Sequence, residues 1–150
     1  MSEWFPHVTM ATVVFNEGRY LMVEERDKTS GRRVFNQPAG HLEAGETLFQ
    51  AALRETREET GWGVALQGIL GLARYVAAAN GVTYYRTTFC AQPRELLTGA
   101  ELDPDILAVH WLHYEEILAS SARMRSPLVL AAIEQHRSGI CYPLDLISPA

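Results

Sequence analysis

The chain has 150 residues, a length that suits one domain able to bury a sizeable core. Its 47% hydrophobic and 21% charged content is that of a soluble globular protein, and no apolar run approaches the ~20 residues of a bilayer span. A formal net charge of −5 argues against a general nucleic-acid-binding surface, yet it is no obstacle to a small phosphorylated substrate whose charge a cation offsets. The opening MSEWFPHVT lacks the basic region and apolar core of a secretory signal. Cys90 and Cys141 stand far apart without a metal-ligand pattern, so reduced thiols and a cytoplasmic location are expected.

Residues His7 to Phe15 are rich in β-branched and apolar types and read as a buried strand. Asn16-Glu17-Gly18 turns the chain, and Arg19 to Arg26 reads as the hairpin partner. Lys28 to Arg33 is a basic loop, either a solvated connection or a lip that meets a phosphate. Val34 to Gln37 should be extended up to Pro38, which disfavours helix at the residue before it.

The stretch Gly40 to Trp62, GHLEAGETLFQAALRETREETGW, organises the rest. Thr47 followed three residues later by Gln50 predicts a capping box, and Gly61 supplies the left-handed position that ends a helix. At about 100° per residue Phe49, Ala52, Leu53, Thr56 and Thr60 share the face expected to pack on the sheet. Glu55, Glu58 and Glu59 lie round from it at spacings that bring their carboxylates together. Three like charges repel unless a divalent cation sits among them; the bland reading is a solvated acidic helix face. Hard oxygens without sulfur or a convincing histidine set select Mg²⁺, with Mn²⁺ as substitute.

Val64 to Ala78 should be one long or two bent strands, Ala79-Asn80-Gly81 a turn and Thr83 to Cys90 a strong strand. Tyr75, Tyr84 and Tyr85 are either core or base-stacking platforms, and alternation puts the last two on opposite faces. Arg94 to Asp105 reads as an acidic loop, Ile106 to His113 as the last strand and Tyr114 to Ser121 as a short helix. Ser126-Pro127 starts a further helix that ends near Gly139, and the tail CYPLDLISP should lie down on the domain surface.

Gly40, Glu46, Arg54-Glu55, Glu58-Glu59 and Gly61-Trp62 match G-x5-E-x7-R-E-U-x-E-E-x-G-U at every charged and glycine position, with Thr56 where an aliphatic residue is usual. The pattern resembles the Nudix hydrolases. That resemblance implies an α/β (α+β) fold with a mixed sheet between helices, a single domain over 1–150, and hydrolysis of phosphoanhydrides. It also implies that Glu58 and Glu59 ligate metal, Glu55 is a ligand or general base, and Gly40 lends its carbonyl. Arg54 would orient a carboxylate, with Glu46 or Glu58 as partner, and His41 is expected not to be a ligand. Some relatives carry an extra catalytic acid before the last strand. Asp105 is the candidate here, with Asp103 and Glu101 behind it, although a solvated loop is as good a reading. Arg32, Arg33, Phe35, Tyr84 and Arg125 are candidate substrate contacts.

FNQPAGHLEAGET, PHVT, RSPLV and YPLDLI together look like the NudJ-type subgroup of the family. This implies a phosphatase acting on nucleoside di- and triphosphates and on thiamine-pathway pyrophosphates, namely hydroxymethylpyrimidine pyrophosphate and thiamine pyrophosphate. Arg123, Arg125 and Tyr142 fall in these segments, to reach substrate or to anchor the tail. Competing functions are housecleaning of oxidised nucleotides and a non-catalytic nucleotide-binding module. No nucleic-acid or membrane partner is expected, and the chain should be a monomer or weak homodimer.

Overall fold

The computed structural model describes residues 3–99 and 101–148; one position of the 94–105 loop and the end of the tail therefore lie outside the described residues. Seven strands form one mixed sheet: β1 (His7–Asn16), β2 (Arg19–Arg26), β3 (Arg33–Asn36), β4 (Ala39–His41), β5 (Trp62–Val76), β6 (Thr83–Leu96) and β7 (Ile106–His113). The order is β3-β2-β1-β6-β5, with β4 also on β1 and β7 also on β2. β1 and β6 run parallel, while the other pairings are antiparallel. This is the mixed sheet with helices that the sequence led us to expect.

Alternation of side chains along the strands makes two cores. Met10, Ile69 and Phe89 face α1 (Leu48–Thr60) through Ala51 and Ala52. Val13, Leu70 and Cys90, their near neighbours in sequence, belong to the other core, with Ile117 of α2 (Tyr114–Ala119) and Val129 and Ile133 of α3 (Pro127–Arg137). Both long helices start at real caps: Thr47 and Gln50 bond reciprocally at 3.1 and 2.9 Å, and Ser126 accepts from Leu128 N–H ahead of Pro127.

Three expectations need correction. The strand predicted to stop at Cys90 continues to Leu96, because β5 pairs with it as far as Trp62↔Leu96. Leu53 is 40% exposed, whereas the buried stripe of α1 is Ala51, Ala52, Thr56, Glu59 and Thr60. The helix is rolled so that Glu59 points inward. Thr56 fits this interior because its hydroxyl donates to the Ala52 carbonyl at 2.8 Å, and Thr60 does the same to Thr56 at 2.6 Å.

The tail is fixed by a two-bond bridge between Ile69 and Tyr142, and Leu144 and Ile147 pack on the α1 side. Gly68 lets this happen: a Cβ there would lie 2.1 Å from the Cys141 sulfur. Tail docking brings Cys141 Sγ to 3.4 Å from Cys90 Sγ, both free thiols. Burial, reinforced by Cys141, pushes the Cys90 thiol up to about 12.

Candidate active site

Gly40 in β4 and the last two turns of α1 meet edge to face. The Glu55 carboxyl lies where a side chain on Gly40 would be: a Cβ there would approach its atoms to 2.2–2.5 Å. Glu59 Oε1 accepts the Ala39 N–H at 2.8 Å, which pins the helix roll described above. Glycine at 40 and the inward Glu59 thus fix two carboxylates against one strand.

Arg54 holds the cluster from the solvent side. Its Nε and Nη2 make a fork on Glu46 at 2.7 and 2.9 Å, Nη1 reaches Glu55 at 2.8 Å and Glu58 at 3.2 Å, and Nη2 also donates to the His41 carbonyl. The first partner named from sequence is the main one; Glu55 is a contact that sequence reasoning missed. The hydrogen bond from Arg54 holds Glu46 below the usual carboxylate range. Glu55 moves the other way: burial raises it, Glu58 and Asp103 add to the rise, and Arg54 pulls against them. Glu59, 6% exposed, is pushed up to about 9 by burial and by the charges of Glu25, Glu55 and Asp103, despite its bond from Ala39.

The donor set fits a hard divalent ion: oxygen ligands only, mutually repelling, one of them desolvated. Glu55, Glu58, Glu59 and the Gly40 carbonyl would hold it. Among the described residues no three acidic, histidine or cysteine side chains already stand in metal-binding geometry, and Arg54 and the Ala39 N–H bond to oxygens of the cluster. His41 Nε2 faces His7 Nδ1 at 2.9 Å and takes no part in the cluster.

The loop before β7 carries the candidate Asp105, which pairs with Lys28 at 3.0 Å at the exposed surface. Asp103 acts on Glu55 and Glu59 electrostatically, and its N–H is tied to the Glu58 carbonyl at 2.9 Å. The Asp103 carboxylate also caps the Asp105 N–H, which turns the chain away and carries the Asp105 side chain outward.

Beside this cluster lies a second one that the sequence did not suggest. Adjacent Glu24 and Glu25 on β2 are both buried at a bulge in the pairing with β7. Glu24 accepts from Arg123 at 2.8 Å, Arg33 at 3.0 Å and His110 at 3.0 Å; burial would raise its pKa, but these partners outweigh it and hold the carboxyl low. Glu25 takes Arg125 at 2.7 Å. Arg33 and Arg125, named as substrate contacts, are therefore engaged. Phe35 is a core residue whose ring is covered by the Arg123 guanidinium, 4.6 Å from its centroid. Tyr84 is half-buried, edge-on to His7 and His41, and Tyr85 is exposed on the other face. Arg32 is exposed and makes no ion pair among the described residues.

Arg86 and Gln37 were not anticipated at all. Gln37 is wholly buried, donates to the Val129 carbonyl at 2.6 Å and accepts from Arg86 Nη2 at 2.8 Å. The one available signal was a lone arginine inside the otherwise strand-like TYYRTTFC.

Comparison with known proteins agrees with this arrangement. The family description "NUDIX domain" matches residues 5–132. The chain is 42% identical to "Phosphatase NudJ" of Escherichia coli (strain K12) over 142 residues, 95% of this chain and 90% of that one. A "NUDIX hydrolase from Nitrosomonas europaea" superposes with a TM-score of 0.93 at 39% identity, covering 97% of this chain and 98% of that one. At 21% identity and a TM-score of 0.69, a bifunctional NMN adenylyltransferase/ADP ribose pyrophosphatase from Francisella tularensis, complexed with AMP and Mn, shares the fold over 91% of this chain and 43% of its own. No helix among the described residues is long and apolar enough to cross a membrane. With the glutamate cluster, its arginine and the glycine strand placed as above, the chain belongs to the Nudix hydrolase family, hydrolases of small phosphorylated substrates that generally work with divalent metal ions.

Proposed function

We propose that this hydrolase is a Mg²⁺-dependent phosphatase of small organic pyrophosphates, removing terminal phosphate from nucleoside di- and triphosphates and from hydroxymethylpyrimidine and thiamine pyrophosphates. It would do so as one domain, in the cytoplasm, as a monomer or weak homodimer. The observation that carries the reading is the buried Glu59 among Glu25, Glu55 and Asp103, an arrangement that is costly without a cation. The likeness to Phosphatase NudJ over 95% of the chain supports the substrate class. Retention of Glu46, Glu55, Glu58 and Glu59 speaks against a non-catalytic module.

Glu58, Glu59, Glu55 and the Gly40 carbonyl would hold the ion, and the chemistry it would supply is neutralisation of phosphate charge and activation of water. Glu55 is the group suited to take the water proton, because burial and its acidic neighbours raise its affinity for one. Arg54 keeps Glu55 and Glu58 in place through its shared contacts. Arg32, exposed and in no ion pair among the described residues, is the loop cation proposed to meet a phosphate, and Asp103, whose charge acts on Glu55 and Glu59, joins Asp105 as a candidate acid of the loop before β7. A release screen for phosphate and pyrophosphate over nucleotides and thiamine-pathway pyrophosphates, with Mg²⁺, tests this. No release from any of them overturns it.

Gly40→Ala separates position from fold. Gly40 has no positive φ, so the substitution meets no backbone strain, and what its Cβ strikes is the flexible end of Glu55. Stability should change by less than about 1 kcal/mol while kcat falls about 100-fold. Unchanged kcat would show that the Glu55 position is immaterial.

A further inference from the structure

Between β5–β6 and α3 lies a groove of about 200 Å³, lined on one side by Gly71, Ala73, Arg86 and Thr88 and on the other by Leu128 and Ala131. The pairing explains why it is open. Gly71 opposes Thr88 and Ala73 opposes Arg86, and directly opposed residues of an antiparallel pair share a face. Two of the four side chains on this face are therefore absent or minimal, and a Cβ built on Gly71 meets nothing within 4 Å.

Arg86 is out of place in such a wall unless something binds there. It is 6% exposed, its recorded bond goes from Nη2 to Gln37, and its Nε finds no partner among the described residues. Gln37 is itself locked to the start of α3, so the guanidinium is held and not merely buried. Arg125 on one side and Glu59 and Glu25 on the other act on Arg86 through space without a hydrogen bond, so this groove residue lies within electrostatic reach of the carboxylate site. A buried cation with idle donors is costly, and an acceptor on a ligand removes the cost.

We propose that this groove takes a single heteroaromatic ring, the organic part of the substrate, and that Arg86 donates to an acceptor atom of that ring. The assignment rests on the pyrophosphatase reading above and deepens it. Mostly aliphatic walls, with Thr88 and Gln135 beside Arg86, suit a ring face whose edge carries polar atoms. The volume falls below the roughly 300–1,000 Å³ of clefts for larger ligands, which suits one ring held inside with the rest of a larger substrate outside. Arg86 is thus a specificity residue for the ring, and Gly71 is the space the ring needs.

The test compares three substrates in the Mg²⁺-loaded enzyme: a pyrimidinylmethyl pyrophosphate, benzyl pyrophosphate and ethyl pyrophosphate. Wild type should prefer the pyrimidine over the benzyl ester by about 10- to 100-fold in kcat/KM, as one charge-assisted bond provides. Arg86→Gln, which removes the charged fork and keeps a polar amide in its place, should bring that ratio near one, chiefly through KM. Gly71→Val, which fills the groove and leaves Arg86 in place, should lower both ring substrates relative to ethyl pyrophosphate. A wild-type ratio near one, or an unchanged ratio in Arg86→Gln, overturns the inference. If none of the three is hydrolysed, the pyrophosphatase reading fails and the groove is read separately from the free pyrimidinylmethanol. That alcohol should shift the amide resonances of Thr88 and Ala131 in wild type and not in Gly71→Val; absence of the shift in wild type overturns the inference.

Discussion

Glu59→Gln should lower turnover by about a thousandfold and, in the presence of a chelator, make the protein harder to unfold above neutral pH. The first effect follows from removing a charged oxygen donor of the metal-activating set. The second follows from the folded-state pKa, about 9 against an ordinary 4.5. The folded protein holds a proton on Glu59 that the unfolded chain releases. This group therefore favours folding most below pH 4.5, and that stability is lost progressively as pH rises towards 9. Glutamine keeps an oxygen for the Ala39 N–H and carries no charge to bury, so the variant lacks this slope. The difference should be at most about 5 kcal/mol at pH 8, and millimolar Mg²⁺ should narrow it by stabilising wild type alone. Thermal or urea unfolding from pH 5 to 9, with and without Mg²⁺, reads the effect. An identical pH slope in wild type and variant would mean that Glu59 is ionised without a cation, and the burial argument would fail.

Local chemistry made much of this molecule readable in advance. The capping box of Thr47 and Gln50, the Gly61 stop, the strands β2 and β7 and the Ser126-Pro127 helix start depend on residues within a few positions of one another. The family pattern is equally local. What escaped depends on distant contacts. The roll of α1 that exposes Leu53 and buries Glu59 is set by the Ala39 N–H, twenty residues away. The surroundings of the loop before β7 were equally out of reach, because Asp103 meets the Glu58 carbonyl through its N–H and Asp105 meets Lys28, each far off in sequence. Phe35, a candidate substrate contact, has its ring covered by Arg123 from the segment after α2. Arg86 acquires meaning only when Gln37 and Val129 meet it across the sheet. The two thiols, 51 residues apart, are neighbours only because the tail docks on β5.

Arg54→Met gives the complementary measurement, on the cation instead of the anion. Arg54 is surrounded by Glu46, Glu55, Glu58 and, at 3.6 Å, Glu43, and these contacts hold its own pKa above the ordinary arginine value, the Glu46 bond most of all. Removing it leaves several carboxylates to repel one another, with Glu46 and Glu55 mostly shielded from water. Breaking one side of such a partly buried network should cost about 2–4 kcal/mol in chelator. Lysine should recover a minor part, because one ammonium cannot reproduce a fork on Glu46 together with contacts to Glu55 and Glu58. The discriminating term is Mg²⁺. If Arg54 and the ion neutralise the same carboxylates, the destabilisation should shrink in millimolar Mg²⁺, while kcat stays depressed because Glu55 and Glu58 have lost the contact that orients them. A loss of stability of equal size with and without Mg²⁺ would place Arg54 outside the metal's electrostatic reach. Its bonds to Glu46 and the His41 carbonyl would then be a structural clamp between the loop and α1.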